Sequence, residues 1–379
     1  MCGMDLRLVA ITSGALYLCP GHSHFRENGK MIYPITISDF MGSKESVPLV
    51  DVRTPSEFED GQIPGAFNLP LFSNEERVSV GTTYKQHGRE AAILLGFDLT
   101  GPKWSGFIKR ALEIAPDKKI AVHCWRGGMR SGAMAWALDL YGFDVYLVEG
   151  GYKHYRRWVL DQFEATYPLF ILGGMTGSGK TRILQEFRAL GQQVIDLEEL
   201  AQHRGSSYGS INKLVQPTQE QFENNLASEL NRQDKQRKIW VEDESSSIGK
   251  RTIPRRFWDQ MVASFLIDVK VSAAQRMEAL VQEYGSLDKD FLIACTERIR
   301  KRLGLDQAKI AITAIKEDRI ADFIRVVMIY YDKTYRTSLA LRDPGLILQV
   351  DLETTDHNRN AREILSAVQT ITPGRLINY

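Results

Sequence analysis

Short apolar runs alternate with longer stretches of helical spacing along most of this chain. Val47–Val52 (VPLVDV), Ile120–Cys124 (IAVHC) and Val145–Val148 are of strand length and nearly continuously apolar. Ser131–Tyr141 instead carries its apolar residues at helical intervals. Runs apolar at successive positions predict strands covered on both faces, so the pattern calls for a mostly parallel sheet with helical crossovers. Pro168 punctuates the series, and Leu169–Leu172 opens a second one. Its predicted strands are Gln193–Asp196, Lys238–Glu242, Phe265–Val271 and Leu346–Val350. Helical stretches are predicted at Thr218–Lys235, Ala273–Tyr284 and Asp290–Ala340. The expectation is an α/β chain with an N-terminal extension over 1–30, poorly ordered, one domain over 31–167 and another over 168–379.

Composition narrows the function classes. The 379 residues exceed one comfortable core. Lys plus Arg number 48 against 47 for Asp plus Glu, a net charge of +1. That balance excludes a tail-driven polyanion binder and leaves room for a local basic groove. Cys2, Cys19, Cys124 and Cys295 form no C-x-x-C pair, which argues against a disulfide framework or zinc ribbon and for a cytoplasmic chain with reduced thiols. No segment reaches the roughly 18 apolar residues of a membrane span. Leu8–Cys19 faintly resembles a secretory apolar core, but a loose extension ahead of a start at Met31 fits it better.

The first chemical feature is His123-Cys124-Trp125-Arg126-Gly127-Gly128-Met129-Arg130-Ser131, between a predicted strand and a predicted helix. A loop there can turn its N–H groups toward one centre, beside the positive end of the helix. Gly127 and Gly128 let the backbone approach an anion closely, and Arg130 and Arg126 can add charged donors. A cysteine at the base of such a cradle favours its thiolate, the nucleophilic form. The other three cysteines have no such surroundings and read as inert.

The second feature, Gly174-Met175-Thr176-Gly177-Ser178-Gly179-Lys180-Thr181, satisfies G-x-x-x-x-G-K-[ST] with strand before and helix after. Its amides suit a di- or triphosphate, Lys180 reaches the outer phosphates and Thr181 is placed to meet a metal. The motif does not choose between a nucleotide and the diphosphate of a lipid. Among Glu242, Asp243 and Glu244, Asp243 is favoured as its acidic partner, although solvated loop charges fit as well. Asp196 is a second candidate, with a helix N-cap as the alternative.

Asp51-Val52-Arg53 at a strand end, Glu57-Phe58, Gly61-Gln62-Ile63-Pro64-Gly65-Ala66 and Glu149-Gly150-Gly151-Tyr152 closely resemble the framework of rhodanese domains. Those domains carry sulfur or selenium on the loop cysteine. Cys124 to Arg130 is C-x5-R, one residue longer than the usual rhodanese loop and matching the cysteine-phosphatase pattern. A rhodanese-like parallel-sheet domain followed by a P-loop NTPase-like α/β domain with a helical segment resembles the tRNA 2-selenouridine synthase family. Val80–Gln86 (with Tyr84 and Lys85), Ala92–Gly96, His203-Arg204-Gly205-Ser206-Ser207 and Val241–Ser245 support the likeness. Where the family pattern has a basic residue after Ser245, this chain has Ser246 and Ser247.

The resemblance implies geranylation of the sulfur of wobble 2-thiouridine in tRNA by geranyl diphosphate, followed by exchange for selenium from selenophosphate. It assigns Cys124 to selenium transfer, with Arg126 and Arg130 and with Trp125, Gly127, Gly128 and Met129 in the selenophosphate cradle. Residues 174–181 then become the diphosphate loop, and Asp51, Arg53, Gly96, His203 and Arg204 are further site candidates. No tightly held cofactor or resident metal is implied, with Mg2+ an option at the phosphate loop, and no membrane partner. Lys250, Arg251, Arg255 and Arg256 around Phe257 and Trp258, and the run Arg298–Arg302, suit RNA, as they suit a solvated face. The competing reading is a rhodanese-related cysteine phosphatase or sulfurtransferase fused to a P-loop kinase or ATPase.

Overall fold

A computed structural model describes residues 32–203, 208 and 215–369. Expectations for residues 1–31, including Cys2, Cys19 and the Leu8–Cys19 run, and for Arg204 to Ser207 lie outside the described residues.

The chain runs β1 (Ile32–Ile35), α1 (Ile37–Gly42), β2 (Leu49–Asp51), α2 (Pro55–Asp60), β3 (Phe67–Asn68) and α3 (Asn74–Thr100). It continues through α4 (Trp104–Ile114), β4 (Lys119–His123), α5 (Met129–Tyr141), β5 (Asp144–Val148) and α6 (Gly151–Glu164). These strands form one parallel sheet in the order β1-β5-β4-β2-β3. The second series is β6 (Leu169–Gly174), α7 (Lys180–Ala189), β7 (Gln193–Ile195), α8 (Leu197–Ala201), α9 (Gln219–Arg232) and β8 (Ile239–Glu242). A hairpin of β9 (Ser247–Ile248) and β10 (Arg251–Thr252) precedes α10 (Arg255–Ala263) and β11 (Phe265–Lys270). Then come α11 (Ala273–Gly285), α12 (Lys289–Leu303), α13 (Leu305–Lys316), α14 (Ile320–Leu339), β12 (Ile347–Asp351) and α15 (His357–Gln369). The second sheet is also parallel, in the order β12-β11-β6-β8-β7. The chain is thus α/β, as the run lengths predict.

Where the sequence reading places one helical stretch over Asp290–Ala340, the structure has three helices. Gly304, at φ 97°, separates α12 from α13, and Asp318, at φ 58°, lies between α13 and α14. Apolar spacing persists through both breaks because all three helices face one cluster that includes Leu292, Ile299, Ala311, Phe323 and Val327.

The two sheets share an apolar core. Tyr152, Tyr155, Val159 and Phe163 of α6 pack in one cluster with Phe222, Leu226 and Leu230 of α9, together with Ala121 of the first sheet and Ile171 of the second. The far face of the first sheet packs on α4 and α5, and that of the second on α7 and α15. Both loops with chemistry sit at the C-terminal ends of central strands, β4 and β6, where crossover loops leave the sheet.

Candidate active site

The cysteine loop begins where β4 ends and closes at the N-terminus of α5. Gly151 of the neighbouring turn gives it room: a Cβ there (φ 57°) would fall 2.2 Å from the Cys124 carbonyl oxygen and 2.6 Å from the Gly127 nitrogen. Tyr152 N–H donates to that carbonyl at 2.8 Å and Lys153 N–H to Trp125 O at 3.0 Å. Cys124 keeps 3% exposure at the base of the loop, while Trp125, Arg126, Gly128 and Met129 on its rim are exposed. Ser131 Oγ lies 3.2 Å from Cys124 Sγ. Burial of the sulfur opposes its charge, but the Ser131 hydroxyl, the N–H groups of Ser131 and Arg126, and the Arg130 charge outweigh it and lower the thiol.

Arg130 forks onto Glu57, with Nη1–Oε2 2.6 Å and Nη2–Oε1 3.2 Å. Burial works against the Glu57 charge, yet Arg130 holds the carboxyl below its usual range. Glu57 also closes a capping box with Thr54 at the start of α2, so one carboxylate fixes a helix end and aims the arginine. Asp51 and Arg53 lie beneath the loop as a buried pair with Nη2–Oδ2 2.6 Å, and Arg53 lies 3.8 Å from the Tyr152 ring centroid. Burial drives the His123 imidazole toward its neutral form despite Asp51 3.6 Å away. Asp51, Arg53 and His123 therefore support the loop from within the core.

In the phosphate loop Gly174, Gly177 and Gly179 have φ of 148°, 84° and 77°. A side chain on Gly177 would meet Leu280 and Arg276, and one on Gly179 would meet His357. Arg276 of α11 donates to Thr176 O at 3.1 Å and forks onto Asp332 of α14, which fastens the loop to the helical segment. Lys180 Nζ lies 3.1 Å from Gly174 O and 3.6 Å from Glu242, and Thr181 Oγ1 donates to Glu242 at 3.3 Å. Burial alone would discharge Lys180, but Glu242, Glu244 and Glu198 keep its ammonium protonated.

The acidic partner beside Lys180 and Thr181 is thus Glu242. Asp243, favoured from the sequence, is salt-bridged to Arg342 at 2.7 Å. Asp196 caps α8 by accepting from Glu199 N–H at 2.9 Å. Glu198, Glu242 and Glu244 bring carboxylate oxygens within 4.8 Å of one another. Burial and then the charges of Glu242 and Glu198 push the Glu244 carboxyl well up. Three oxygen donors beside a phosphate loop fit a hard divalent cation such as Mg2+.

A cavity of about 2060 Å³ opens over the phosphate loop. His203 lines it, as do Lys250, Arg251, Arg298, Lys301 and Arg302. Trp258, Val262, Tyr335 and Leu341 add an apolar wall. From the two basic runs, Arg255 and Arg256 instead pair with Asp259 and Glu164, and Arg300 with Glu297. Cys295 is buried, with Arg298 donating to its sulfur at 2.7 Å, and burial raises its thiol. Tyr84 and Lys85 stand exposed on α3 and do not line the cavity, and Gly96 packs near Phe72. Sequence reasoning missed the roles of Glu57, Ser131, Glu198 and Arg276, whose partners come from distant segments or from a turn of the same loop. Among the described residues no helix is long and apolar enough to cross a membrane.

Comparison with known proteins matches residues 36–157 to the rhodanese-like domain family and residues 167–360 to the tRNA 2-selenouridine synthase AAA domain. A Shewanella woodyi protein named tRNA 2-selenouridine synthase is 34% identical over 359 residues, covering 83% of this chain and 95% of the relative. A Proteus mirabilis protein of the same name is 35% identical over 340 residues, covering 79% and 91%. A Nitrosomonas eutropha namesake is 40% identical over 253 residues, where the match covers 62% of this chain and 63% of the relative.

Proposed function

This chain belongs to the tRNA 2-selenouridine synthase family, and on that premise we propose that it replaces sulfur by selenium at the wobble 2-thiouridine of tRNA. The observation that carries the reading is a thiolate-favouring cradle and, in the same chain, a phosphate loop under a large cavity whose mixed-charge lining includes Lys250, Arg251, Arg298, Lys301 and Arg302. In the first step the thiouridine sulfur attacks C1 of geranyl diphosphate. A C–S bond forms, the C–O bond breaks, and the base loses its N3 proton as diphosphate departs. The amides of residues 174–181 and the Lys180 ammonium neutralise that leaving group, whose charge grows as the bond breaks. The Trp258, Val262, Tyr335 and Leu341 wall gives the prenyl chain an apolar surface.

Alkylation changes the leaving group. Sulfur held in a thiocarbonyl departs poorly, whereas an S-geranyl group leaves as a neutral thiol. In the second step selenophosphate delivers selenium to C2 through the Cys124 cradle. Water takes the phosphoryl group as phosphate, and geranylthiol leaves with a proton. The loop N–H groups and Arg126 hold the oxyanion, with Arg130 positioned by Glu57. The base must leave its stack for C2 to be reached.

Glu198, Glu242 and Glu244 would hold a divalent cation, which would add charge neutralisation at the phosphates. That acidic cluster also favours a second reading, in which the phosphate loop takes a Mg2+-nucleotide. Nucleoside mass spectrometry on thiolated tRNA, with geranyl diphosphate and selenophosphate supplied separately and together, tests both readings. Lys180→Ala should abolish S-geranyl product, and Cys124→Ser should accumulate it without selenium. Undiminished geranylation by Lys180→Ala, or a strict requirement for ATP, would overturn the diphosphate assignment.

A further inference from the structure

Neither site explains α3. Of its residues from Asn74 to Thr100 only Ala92 and Thr100 are buried, and Val80 and Leu99 add partly buried contacts with the first core, a small apolar share for so long a segment. Gly88, at φ 85° and ψ −177°, breaks it into two arms. Both arms return to a common base. Lys103 Nζ reaches the Glu76 carboxylate at 2.5 Å, and a Cβ on Gly96 would sit 3.5 Å from the Phe72 ring. The segment is therefore a helical hairpin with its elbow at Gly88. Its base adjoins the cysteine loop, because Asn74 Oδ1 accepts from Ser56 N–H at 3.1 Å and the next residue, Glu57, holds Arg130. An arm from Asn74 to His87 extends about 20 Å, comparable to the width of a nucleic-acid helix.

Charge is sorted along this hairpin. At the base Glu75 is engaged by Ser73 and Glu76 by Lys103. From Arg77 to Arg89 the sequence holds Arg77, Lys85 and Arg89 and no carboxylate, with Glu90 following in the second arm. Residues 84–90 are all exposed, and Tyr84 presents 53% of its surface. Among the described residues the side chains of Tyr84, Lys85 and Arg89 make no hydrogen bond or ion pair. Val78, Leu94 and Phe97 are exposed along the arms, but within the elbow itself Tyr84 is the one large ring and stands among cations, which matches a phosphate backbone with a base or ribose to stack on.

We propose that the elbow from Tyr84 to Arg89 is a contact for the body of the tRNA, apart from the cradle and the cavity. Lys85 and Arg89 meet phosphates and Tyr84 stacks, so that the anticodon arm is held while its wobble nucleotide enters the cradle. The proposal rests on the tRNA reading above and adds to it the surface that holds the substrate.

The test is fluorescence anisotropy of labelled thiolated tRNA with the full-length protein over a salt series. Tyr84→Ala and the double variant Lys85→Gln/Arg89→Gln are compared with Lys44→Gln, an exposed control, and Cys124 alkylation rates report that the cradle is intact. Tyr84→Ala should weaken binding about tenfold. The double variant should lower the slope of log Kd against log salt by about 2. Lys44→Gln should match the unaltered protein. Equal affinity and equal slope for all variants would overturn the elbow contact and leave the tRNA reading standing. Failure of the unaltered protein to bind tRNA would overturn both.

Discussion

Replacing Ser131 by alanine isolates what the hydroxyl does for the Cys124 thiolate. Ser131 Oγ lies 3.2 Å from Cys124 Sγ and 3.1 Å from Gly128 O, and a hydroxyl has one proton to give. While the thiol is protonated, Ser131 donates to Gly128 O, and its contact with the weakly donating S–H group adds little. Once the thiolate forms, the hydroxyl turns its proton to the sulfur. The gain is a bond to a charged acceptor, about 1.5–3 kcal/mol, less a neutral bond of about 0.5–1.5 kcal/mol. The net is about 1 kcal/mol, roughly a fivefold difference in thiolate fraction below the midpoint.

The assay is iodoacetamide alkylation against pH, with the Cys124 peptide quantified by mass spectrometry so that other cysteines do not contribute. Ser131→Ala should move the midpoint up and slow alkylation about fivefold below it. There is a linked effect on stability. A thiol held low in the folded state stabilises the fold above its unfolded value, and that contribution fades as pH falls through the folded value. The alanine variant should therefore lose more stability at pH 9 than at pH 6. A midpoint that stays put or moves down would refute the argument and leave the loop amides and Arg130 as the cause.

Other sites give independent checks. Gly151→Ala puts a methyl against the Cys124 carbonyl at a positive φ, so Cys124 alkylation should lose its low-pH component and stability should fall by about 2 kcal/mol; retained reactivity would count against the close approach. Asn224→Leu strips a buried amide that donates to Gln62 O at 2.9 Å and to Tyr152 Oη at 2.8 Å, and denaturant unfolding should show a loss of about 3 kcal/mol. A loss below 1 kcal/mol would mean the bonds are easily replaced. Glu244→Gln removes an acid whose folded pKa is raised, a group that costs stability as pH climbs from its unfolded value through its folded one. Its melting temperature in EDTA should exceed that of the unaltered protein at pH 8 and match it at pH 4, and Mg2+ should narrow the gap at pH 8; no difference at pH 8 would remove the crowded-carboxylate argument.

The sequence made the sheets and both loops legible because their strands are apolar at successive positions, a signal that survives without knowing any contact. The same property hid the acidic partner of the phosphate loop. Every residue of β8 is buried, so no alternation tells which of Glu242, Asp243 and Glu244 turns toward Lys180. Register decides it, since Glu242 sits opposite Leu172 near the end of β6. The α3 hairpin escaped for the opposite reason. With almost nothing buried, it carries no hydrophobic period, and its one break is a glycine in a polar run.

The joint between the halves was the least legible feature, although it bears on how two sites serve one reaction. Tyr152 N–H fixes the Cys124 carbonyl, its ring lies under Arg53, and its hydroxyl donates to Glu220 at 2.7 Å and accepts from Asn224. Glu220 and Asn224 belong to α9, whose N-cap Thr218 donates to Asp60 O at 2.6 Å across the same joint. The residue that braces the cysteine loop is thus itself braced from the second half of the chain. Asn224 has no exposed surface, and Arg156 of α6 donates to its Oδ1 at 2.5 Å, so withdrawing α9 would leave several buried polar groups without partners. Separating the halves would cost those bonds together with the shared apolar core. A rhodanese-like half expressed alone should therefore hold its loop less firmly than the full chain does. The pairs named across this joint lie 68 to 162 positions apart, and a polar residue within an amphipathic helix looks the same in sequence whether it meets water or a tyrosine.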